Sequence, residues 1–387
     1  MNRRSTDEVP MLCCGPLKLC NASVRRLFTA KGFGNSILNS FLHLYPLTDF
    51  LMSRSWWISP VVIMVLATCT SCGTFSSKPP LEPVVTVNSD TDVTDVQFFP
   101  DGSSFLVVDL NRLTISKTDP TKPLIKTDKL VDGMDNGFAF ACIDATADRI
   151  WVAKQEQGVA CFDDAILDQK ALTCPWSVSN FYHPVSKDDA ITMIDETTLA
   201  RVSQDKSEPV WKQKTRFESI EGTHAFSEKW IALAEYANQR TPVVHIYSLE
   251  TGERLALEIA HKDTVRGIAF SNDEALIATA STDGEFKVFE ISSGKPIWEN
   301  KNDRDGAFGI AIHPDMDHIA VGCLNGIKVW SLKEKKLVAS WNAHKRFVPT
   351  LKFSPDGSFL VSGSVDKSAK LWRMENVFGT MTYERPK

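Results

Sequence analysis

The chain has 387 residues, 43% of them hydrophobic, and a formal net charge of −5. Residues 1–72 contain seven basic and three acidic side chains, a local charge of +4, so the rest of the chain carries −9. An acidic remainder without runs of Lys and Arg argues against nucleic-acid binding, because a phosphate backbone requires a basic surface.

Residues 1–51 show no steady periodicity of helix or strand and are assigned no fold. A different pattern begins at Met52, and two interpretations of the preceding segment stay open. Either translation starts at Met52 and residues 1–51 are not translated, or they form a cytoplasmic extension ahead of a membrane anchor. The first is preferred, because a signal peptide belongs at the start of a chain.

Residues 52–72 have the three parts of a secretory signal. Arg54 gives it a basic start, an apolar run follows at 56–66, and small residues continue to Cys72. The run is too short for a comfortable membrane span, which needs about 20 residues. The segment is therefore predicted to be a signal peptide, with a membrane anchor as the alternative.

Two overlapping cysteine motifs end this segment. Cys69 has Leu66 three residues before it, and Cys72 is preceded by Ser71. Both motifs resemble the lipobox of bacterial lipoproteins, a family in which the cysteine becomes the first residue of the mature chain and carries the lipid. A zinc site is disfavoured, because the second pair of ligands is missing. Residues 73–81, which are small, polar and Pro-rich, are predicted to be a tether.

Short apolar runs bounded by turn residues fill residues 82–252, which is typical of β-strands. Residues 96–116 contain one strand, a turn at Pro100-Asp101-Gly102 and two further strands. The spacing between 118 and 252 allows three more units of this kind. Residues 82–88 precede the first unit and are expected to pair with 369–373, which would hide both exposed strand edges.

Three segments between Glu253 and Arg373 can be laid over one another. Their turn aspartates, Asp273, Asp315 and Asp356, are 42 and 41 residues apart. A period of roughly 40–45 residues with short strands is the signature of a propeller blade. The segments resemble WD40 repeats. The resemblance implies an all-β, seven-bladed WD40-like β-propeller over 82–374, with six or eight blades left open, and a loose C-terminal tail at 375–387.

The resemblance also implies a buried Asp–His–Ser–Trp hydrogen-bond network. The residues that match it are His344, Ser362, Asp366 and Trp372 in the last segment, and His261, Thr279 and Asp283 in the first. In the first segment Phe289 replaces the tryptophan, and the middle segment lacks the histidine. These residues are interpreted as structural, because a satisfied buried network fixes one packing arrangement.

No nucleophile, phosphate-loop or zinc-protease motif appears in the sequence, so no catalytic residue, metal ligand or cofactor is assigned. A metal site assembled in the central channel from several blades would escape a search for linear motifs. The acidic pairs at 163–164 and 188–189 lie next to turn residues and are interpreted as solvated loops. Four cysteines after the signal allow three disulfide pairings, among which the sequence does not choose: Cys142, Cys161, Cys174 and Cys323.

The resemblance implies that partners bind the face carrying the turns before the first strand and between the second and third strands of each repeat. The candidates on this face are aromatic and charged residues, of which aromatic and Arg side chains are typical interface anchors: Tyr236, Arg240, Arg266, Asp303, Arg304, Arg346 and Phe347. Tyr236 and Arg240 belong to a turn at 236–242 that is longer than its relatives, and insertions concentrate on a binding face in repeat proteins.

The expected function is a non-catalytic protein–protein interaction scaffold, tethered to the bacterial cell envelope by a lipid anchor. Its expected contacts are an unidentified protein partner and the membrane, with no nucleic acid. One alternative is a propeller enzyme, such as a metal-dependent hydrolase that uses the central channel. Histidines or carboxylates converging there would favour it. The other alternative is a cytosolic or membrane-anchored WD40 regulatory scaffold.

Overall fold

The structure, a computed structural model, describes residues 81–378 apart from 111, 127–138, 144–148, 155–157, 164–168, 171–178, 187–188, 196, 204–205, 217–222, 237–240, 301–304 and 325. The chain divides into two compact units, Met1–Ser76 and Ser77–Lys387, and the described residues belong to the second. The predicted extension, signal and both lipidation candidates, Cys69 and Cys72, lie outside the described residues. Among the helices of the described part, none is long and apolar enough to cross a membrane.

The described residues form seven antiparallel sheets of four strands each. The first four sheets in chain order contain β2–β5, β6–β9, β10–β13 and β14–β17, and β1 precedes them. Their bounds are: β1 Val85–Asn88, β2 Val93–Phe98, β3 Ser104–Asp109, β4 Leu113–Lys117, β5 Ile125–Lys126, β6 Ala139–Ile143, β7 Arg149–Lys154, β8 Gly158–Asp163, β9 Gln169–Lys170, β10 Ser179–Pro184, β11 Asp189–Asp195, β12 Thr198–Ser203, β13 Trp211–Lys214, β14 His224–Phe226, β15 Trp230–Tyr236, β16 Pro242–Ser248 and β17 Arg254–Ala260.

The fifth and sixth sheets contain β18–β21 and β22–β25, and the seventh contains β26–β28 together with β1. The bounds of these strands and of the one described helix, α1, are: β18 Val265–Phe270, β19 Leu276–Ser281, β20 Phe286–Glu290, β21 Pro296–Asn300, β22 Ile310–Ile312, β23 His318–Gly322, β24 Ile327–Ser331, β25 Lys336–Trp341, β26 Thr350–Phe353, β27 Phe359–Ser364, β28 Ser368–Arg373 and α1 Met374–Phe378.

Each sheet packs on the next one in the chain, and the last packs on the first. The first strands of most neighbouring sheets contact each other, and β2 of the first sheet contacts β26 and β27 of the seventh. The third and fourth sheets share a core cluster that includes Ile191, Met193 and Tyr247. A single four-stranded sheet cannot bury both of its faces, and this stacking buries them, as in stacked propeller blades.

The N-terminal strand β1 pairs with the C-terminal strand β28. Thr86 lies opposite Lys370 and Val87 opposite Ala369 in an antiparallel ladder. Val87 is fully buried in a core cluster that also contains Leu371. The prediction that residues 82–88 dock beside the last strand is confirmed.

The periodic aspartates each close a tight turn between two strands. In the seventh sheet, Asp356 Oδ1 accepts the backbone N–H of Ser358 at 3.0 Å. In the fifth, Asp273 Oδ1 accepts the backbone N–H of Ala275 at 3.0 Å. The residue after the aspartate has a positive φ, 75° at Gly357 and 59° at Glu274. An acidic acceptor followed by a left-handed residue is the local chemistry that produces the repeat period.

The prediction of a loose tail is wrong for its first residues. The helix α1 follows β28 directly, and Met374 and Val377 are buried in the core cluster beneath it. The apolar spacing of these two side chains places both on one face of the helix, which covers the packing between the sixth and seventh sheets. Residues beyond 378 lie outside the described part of the chain.

Candidate functional site

The four residues predicted to form a network in the seventh sheet lie in one hydrogen-bonded chain. His344 Nδ1 lies 3.1 Å from Asp366 Oδ2, and His344 Nε2 lies 2.8 Å from Ser362 Oγ. Trp372 Nε1 donates to the same Ser362 Oγ at 2.9 Å. Because a carboxylate needs a donor, we assign the proton to Nδ1, so that Nε2 accepts from the Ser362 hydroxyl.

This network has the residue types of a hydrolytic Ser–His–Asp triad without its accessibility. Ser362 has no exposed surface, and the Trp372 indole already donates to the oxygen that would have to attack a substrate. A nucleophile must be within reach of the reacting atom. The arrangement therefore supports the structural interpretation of His344.

The pKa of His344 is the measurable consequence of this burial. Desolvation lowers the pKa of His344 to about 4, in spite of the neighbouring Asp366. His344 therefore takes up a proton at a higher pH in the unfolded chain than in the folded chain. The stability that neutral His344 contributes is lost as the pH falls from 6.5 towards 4. We expect the free energy of unfolding to fall in this window, by on the order of 3 kcal/mol from His344.

Urea unfolding at pH 7, 6, 5 and 4 measures this loss. His344→Gln should be less stable at pH 7 and should show a shallower decline between pH 6.5 and 4, because the titrating group is gone. Burial lowers the pKa of His183 to about 4 and that of His224 to about 3. These two histidines therefore also lower the free energy of unfolding as the pH falls, in the wild type and in His344→Gln alike. An unchanged slope in the variant would contradict the assignment.

A shorter version of the network lies in the fifth sheet. His261 Nε2 lies 2.8 Å from Thr279 Oγ1, and its Nδ1 lies 3.5 Å from Asp283 Oδ2. Phe289 ends this version, since a phenyl ring cannot donate a hydrogen bond. In both sheets the aspartate also accepts the N–H of the residue after the histidine, Lys262 at 3.0 Å or Lys345 at 2.9 Å. The network thus fixes the loop that enters each first strand.

These loops present a patch of aromatic, aliphatic and basic side chains, which we call the aromatic patch. Its members are Arg266, Phe308, Leu324, Arg346 and Phe347. The rings of Phe308 and Phe347 are 5.0 Å apart and half-buried, and Leu324 is 50% exposed. Arg266 and Arg346 are exposed. The patch spans the fifth, sixth and seventh sheets.

Hydrogen bonds hold the loop that precedes β26 of the seventh sheet. The Ser364 hydroxyl lies 2.9 Å from the Phe347 carbonyl oxygen and 3.3 Å from that of Arg346. The backbone N–H of Gly309, next to Phe308, donates to the Val348 carbonyl oxygen at 3.0 Å. Because these bonds order the backbone, little conformational entropy remains to be lost when a partner binds the patch.

The structure corrects one candidate and leaves three undescribed. The prediction that Tyr236 lies in an exposed turn is wrong: it is the last residue of β15, pairs with Pro242 and is 8% exposed. Every residue of β15 from Ile231 to Tyr236 is buried, so the burial extends to the last residue of the strand. The other three candidates in these turns, Arg240, Asp303 and Arg304, lie outside the described residues.

Polar and titratable residues occur on the first strands of several sheets, and the first strands of most neighbouring sheets contact each other. Cys142 Sγ lies 3.1 Å from His183 Nδ1, and the His183 ring stacks on Phe226 with centroids 3.9 Å apart. On β2, burial raises the pKa of Asp95 above its usual value, although nearby Lys352 opposes this. No sequence motif indicates the Cys142–His183 pair, because its members lie on strands of different sheets.

The described residues hold no group of three or more His, Cys, Asp or Glu side chains placed to bind a metal ion. The histidines on the first strands therefore do not form a metal site within that part of the chain. The acidic pair at 188–189 is also partly accounted for, since Asp189 forms an ion pair with Arg201 at 2.6 Å. Asp189 is the first residue of β11 and not part of a solvated loop.

Comparison with known proteins agrees with this geometry. Residues 252–290 and 335–373 match the family model "WD domain, G-beta repeat". Similar proteins include the transcriptional corepressor LEUNIG_HOMOLOG of Arabidopsis thaliana, 28% identical over 132 residues, which are 34% of this chain and 16% of that protein. Transducin beta-like protein 3 of Bos taurus is 26% identical over 155 residues, which are 39% of this chain and 18% of that protein.

A longer match is the U3 snoRNP-associated protein-like EMB2271 of Arabidopsis thaliana, 21% identical over 210 residues, 47% of this chain and 42% of that protein. The chain spans less than a fifth of the length of the first two relatives. Each matched segment runs from the last strand of one sheet through three strands of the next, β17–β20 and β25–β28, and each contains one of the two histidine networks. The chain therefore carries WD40 repeats at residues 252–290 and 335–373.

Proposed function

We propose that the chain is a seven-bladed WD40-like propeller that acts as a non-catalytic scaffold, and that it binds a protein partner through the aromatic patch. The observation that carries this proposal is the exposure of Leu324 beside the half-buried Phe308 and Phe347 rings. Apolar side chains with flanking arginines have the composition of an interface hot spot. WD40 repeat proteins typically serve as protein-interaction scaffolds, which supports the same function.

Replacing both aromatic residues of the patch should strongly weaken partner binding. We expect Phe308→Ser with Phe347→Ser to weaken the binding of a partner by more than about tenfold, because two ring contacts at a desolvated interface are lost. The partner is first recovered by quantitative affinity capture from native membranes, and its Kd is then measured with the purified proteins.

Leu337→Ser is the matched control for this experiment. Leu337 is 43% exposed on β25, the fourth strand of its sheet, so this substitution also replaces an apolar side chain by serine, at a site away from the patch. A partner that the double variant retains and Leu337→Ser loses would place the binding surface on the outer edge of the sixth sheet instead.

We further propose that this scaffold is anchored by lipid at Cys69 or Cys72 and faces the bacterial cell envelope. The supporting sequence is the short apolar run at 56–66 followed by small residues and two lipobox-like cysteines. Attachment by acyl chains requires no membrane span, and more than one chain gives durable anchoring. The tether at 73–81 would then separate the anchor from the propeller.

Mass analysis of the chain recovered from its native membrane fraction tests the anchor. We expect the N-terminal peptide to begin at Cys69 or Cys72 and to carry the mass of a diacylglyceryl group. Cys69→Ala and Cys72→Ala, made separately, identify the modified residue, because one of them should release the protein from the membrane and the other should not. An unmodified chain that retains residues 1–51 would support the cytosolic or membrane-anchored alternative.

A further inference from the structure

A cleft of about 440 Å³ separates the third and fourth sheets. One wall is the end of β13 and the two residues after it, and the other is formed by β15, β16 and β17. It is lined mainly by polar and charged side chains from two different sheets. Its side chains belong to neither the aromatic patch nor the histidine networks, so an activity there would be separate from the proposed scaffold function.

At the edge of the cleft, the fourth sheet has a threonine at the position of the network histidine of the fifth and seventh sheets. In those sheets, the N–H of Lys262 or Lys345 donates to the network aspartate, and the preceding residue is the histidine. In the fourth sheet the equivalent N–H belongs to Arg216, which donates to Glu235 Oε2 at 2.7 Å. The residue before it is Thr215, whose side chain is smaller than an imidazole.

A buried carboxylate forms the floor of the cleft. Glu235 Oε1 accepts the Tyr247 hydroxyl and lies 3.1 Å from His245 Nδ1. Burial alone would raise the pKa of Glu235, but the hydrogen bonds from His245, Tyr247 and the Arg216 N–H hold it below its usual range. Burial and the neighbouring Glu235 raise the pKa of Tyr247, so its hydroxyl remains a donor. The floor is therefore fixed and ionised at neutral pH.

Three basic side chains surround this floor: Lys214, Arg216 and Arg254. All three are exposed, Lys214 with 73% of its side chain accessible. Two carboxylates face them, Glu235 and Glu258, and Glu258 Oε1 lies 3.5 Å from an Arg254 nitrogen. Lys214 Nζ also lies 3.5 Å from Asp195 Oδ2, a carboxylate outside the lining, so Arg216 and Arg254 are the main positive groups that face a ligand. The ionised Glu235 floor repels a doubly charged phosphate more strongly than a singly charged carboxylate.

We propose that this cleft binds a carboxylate-bearing ligand, either an acidic side chain of a peptide or a small free carboxylic acid, between Arg216 and Arg254. A guanidinium group matches a carboxylate with two parallel hydrogen bonds. The two arginines come from opposite walls, so one carboxylate contacts both sheets. The volume is large enough for a group of the size of one or two amino-acid side chains.

Calorimetric titration of the full chain tests this site. The probes are N-acetylglutamate α-amide, propionate and inorganic phosphate, each at the same ionic strength and compared with sodium chloride. We expect saturable binding of the carboxylates and weaker binding of phosphate. Arg216→Gln and Arg254→Gln should each weaken carboxylate binding by at least about tenfold, because each removes a charge-assisted hydrogen bond.

Two further variants separate ligand binding from folding. Lys333→Gln, on an exposed turn of the sixth sheet, removes the same charge elsewhere and should bind as the wild type does. Thr215→His places an imidazole in the cleft and should abolish binding while the unfolding temperature without ligand stays within a few degrees. Tighter binding of the glutamate amide than of propionate points to a peptide, and the reverse to a free acid. The absence of saturable binding, or binding by Arg216→Gln and Arg254→Gln as tight as that of the wild type, would overturn the proposal.

Discussion

Replacing Val87 with aspartate should lower the free energy of unfolding by more than about 4 kcal/mol, because it buries an unpaired carboxylate in the closing sheet. Val87 is fully buried between β28 and the first sheet, against residues that include Val93 and Leu371. Without a stable β1, the seventh sheet loses its fourth strand and β28 becomes an exposed edge. Urea unfolding followed by tryptophan fluorescence measures the loss.

Thr86→Asp is the matched control for this substitution. Thr86 is the neighbour of Val87 on β1 and is exposed, so the same carboxylate there stays in water. Its effect should lie within about 0.5 kcal/mol of the wild type, as at most surface positions. Equal destabilisation by the two substitutions would show that β1 is not held in the observed register.

Gly322→Ala should destabilise the protein by about 3 kcal/mol and also disturb the aromatic patch, since it inserts a methyl group against backbone. A Cβ at Gly322 would lie 2.2 Å from the Val348 carbonyl oxygen. The backbone there is held on both sides, because the Phe308 N–H donates to the Gly322 carbonyl oxygen at 2.8 Å and the Gly309 carbonyl accepts from the Gly322 N–H at 2.8 Å. The loop that carries Phe347 must therefore move.

Gly294→Ala provides the comparison. Gly294 has a φ of 66°, and its added Cβ would find only Leu257 Cδ1, at 3.9 Å. The cost should be limited to the left-handed backbone, about 1 kcal/mol, with no effect on the patch. Denaturant unfolding gives the stabilities, and partner binding by the Gly322→Ala protein gives the second effect. A Gly322→Ala protein with the stability of Gly294→Ala would refute the tight approach of Val348.

The sequence predicted the strands best where the turn chemistry is local. The Asp273 and Asp356 turns could be recognised because acceptor and donor lie two residues apart in the chain. The pairing of β1 with β28 could also be predicted, since four-stranded repeats leave one strand over at the N-terminal end and a sheet that is one strand short at the C-terminal end. Periodicity alone indicated neither α1 nor the burial of Tyr236, because both depend on which neighbouring sheet covers them.

The residues that contact one another from different strands escaped prediction for a different reason. The Cys142–His183 pair and the Glu235–His245–Tyr247 floor are formed by strands from the part of the chain where the repeat pattern fades. Their contacts are set by sheet register and stacking, which no short motif encodes. In contrast, His344 and Asp366 could be predicted, because the repeat spacing aligns them with the residues of the WD40 hydrogen-bond network.

The pairing of β1 with β28 also orders events during synthesis. Thr86 leaves the ribosome long before its partner Lys370, so β1 must wait for nearly the whole chain before its ladder can form. During that interval β28 and β1 are each without a partner, and β1 of a second copy fits β28 as well as the chain's own strand does. Closure within one chain and strand exchange between chains are therefore competing reactions, and the local concentration of nascent copies decides between them.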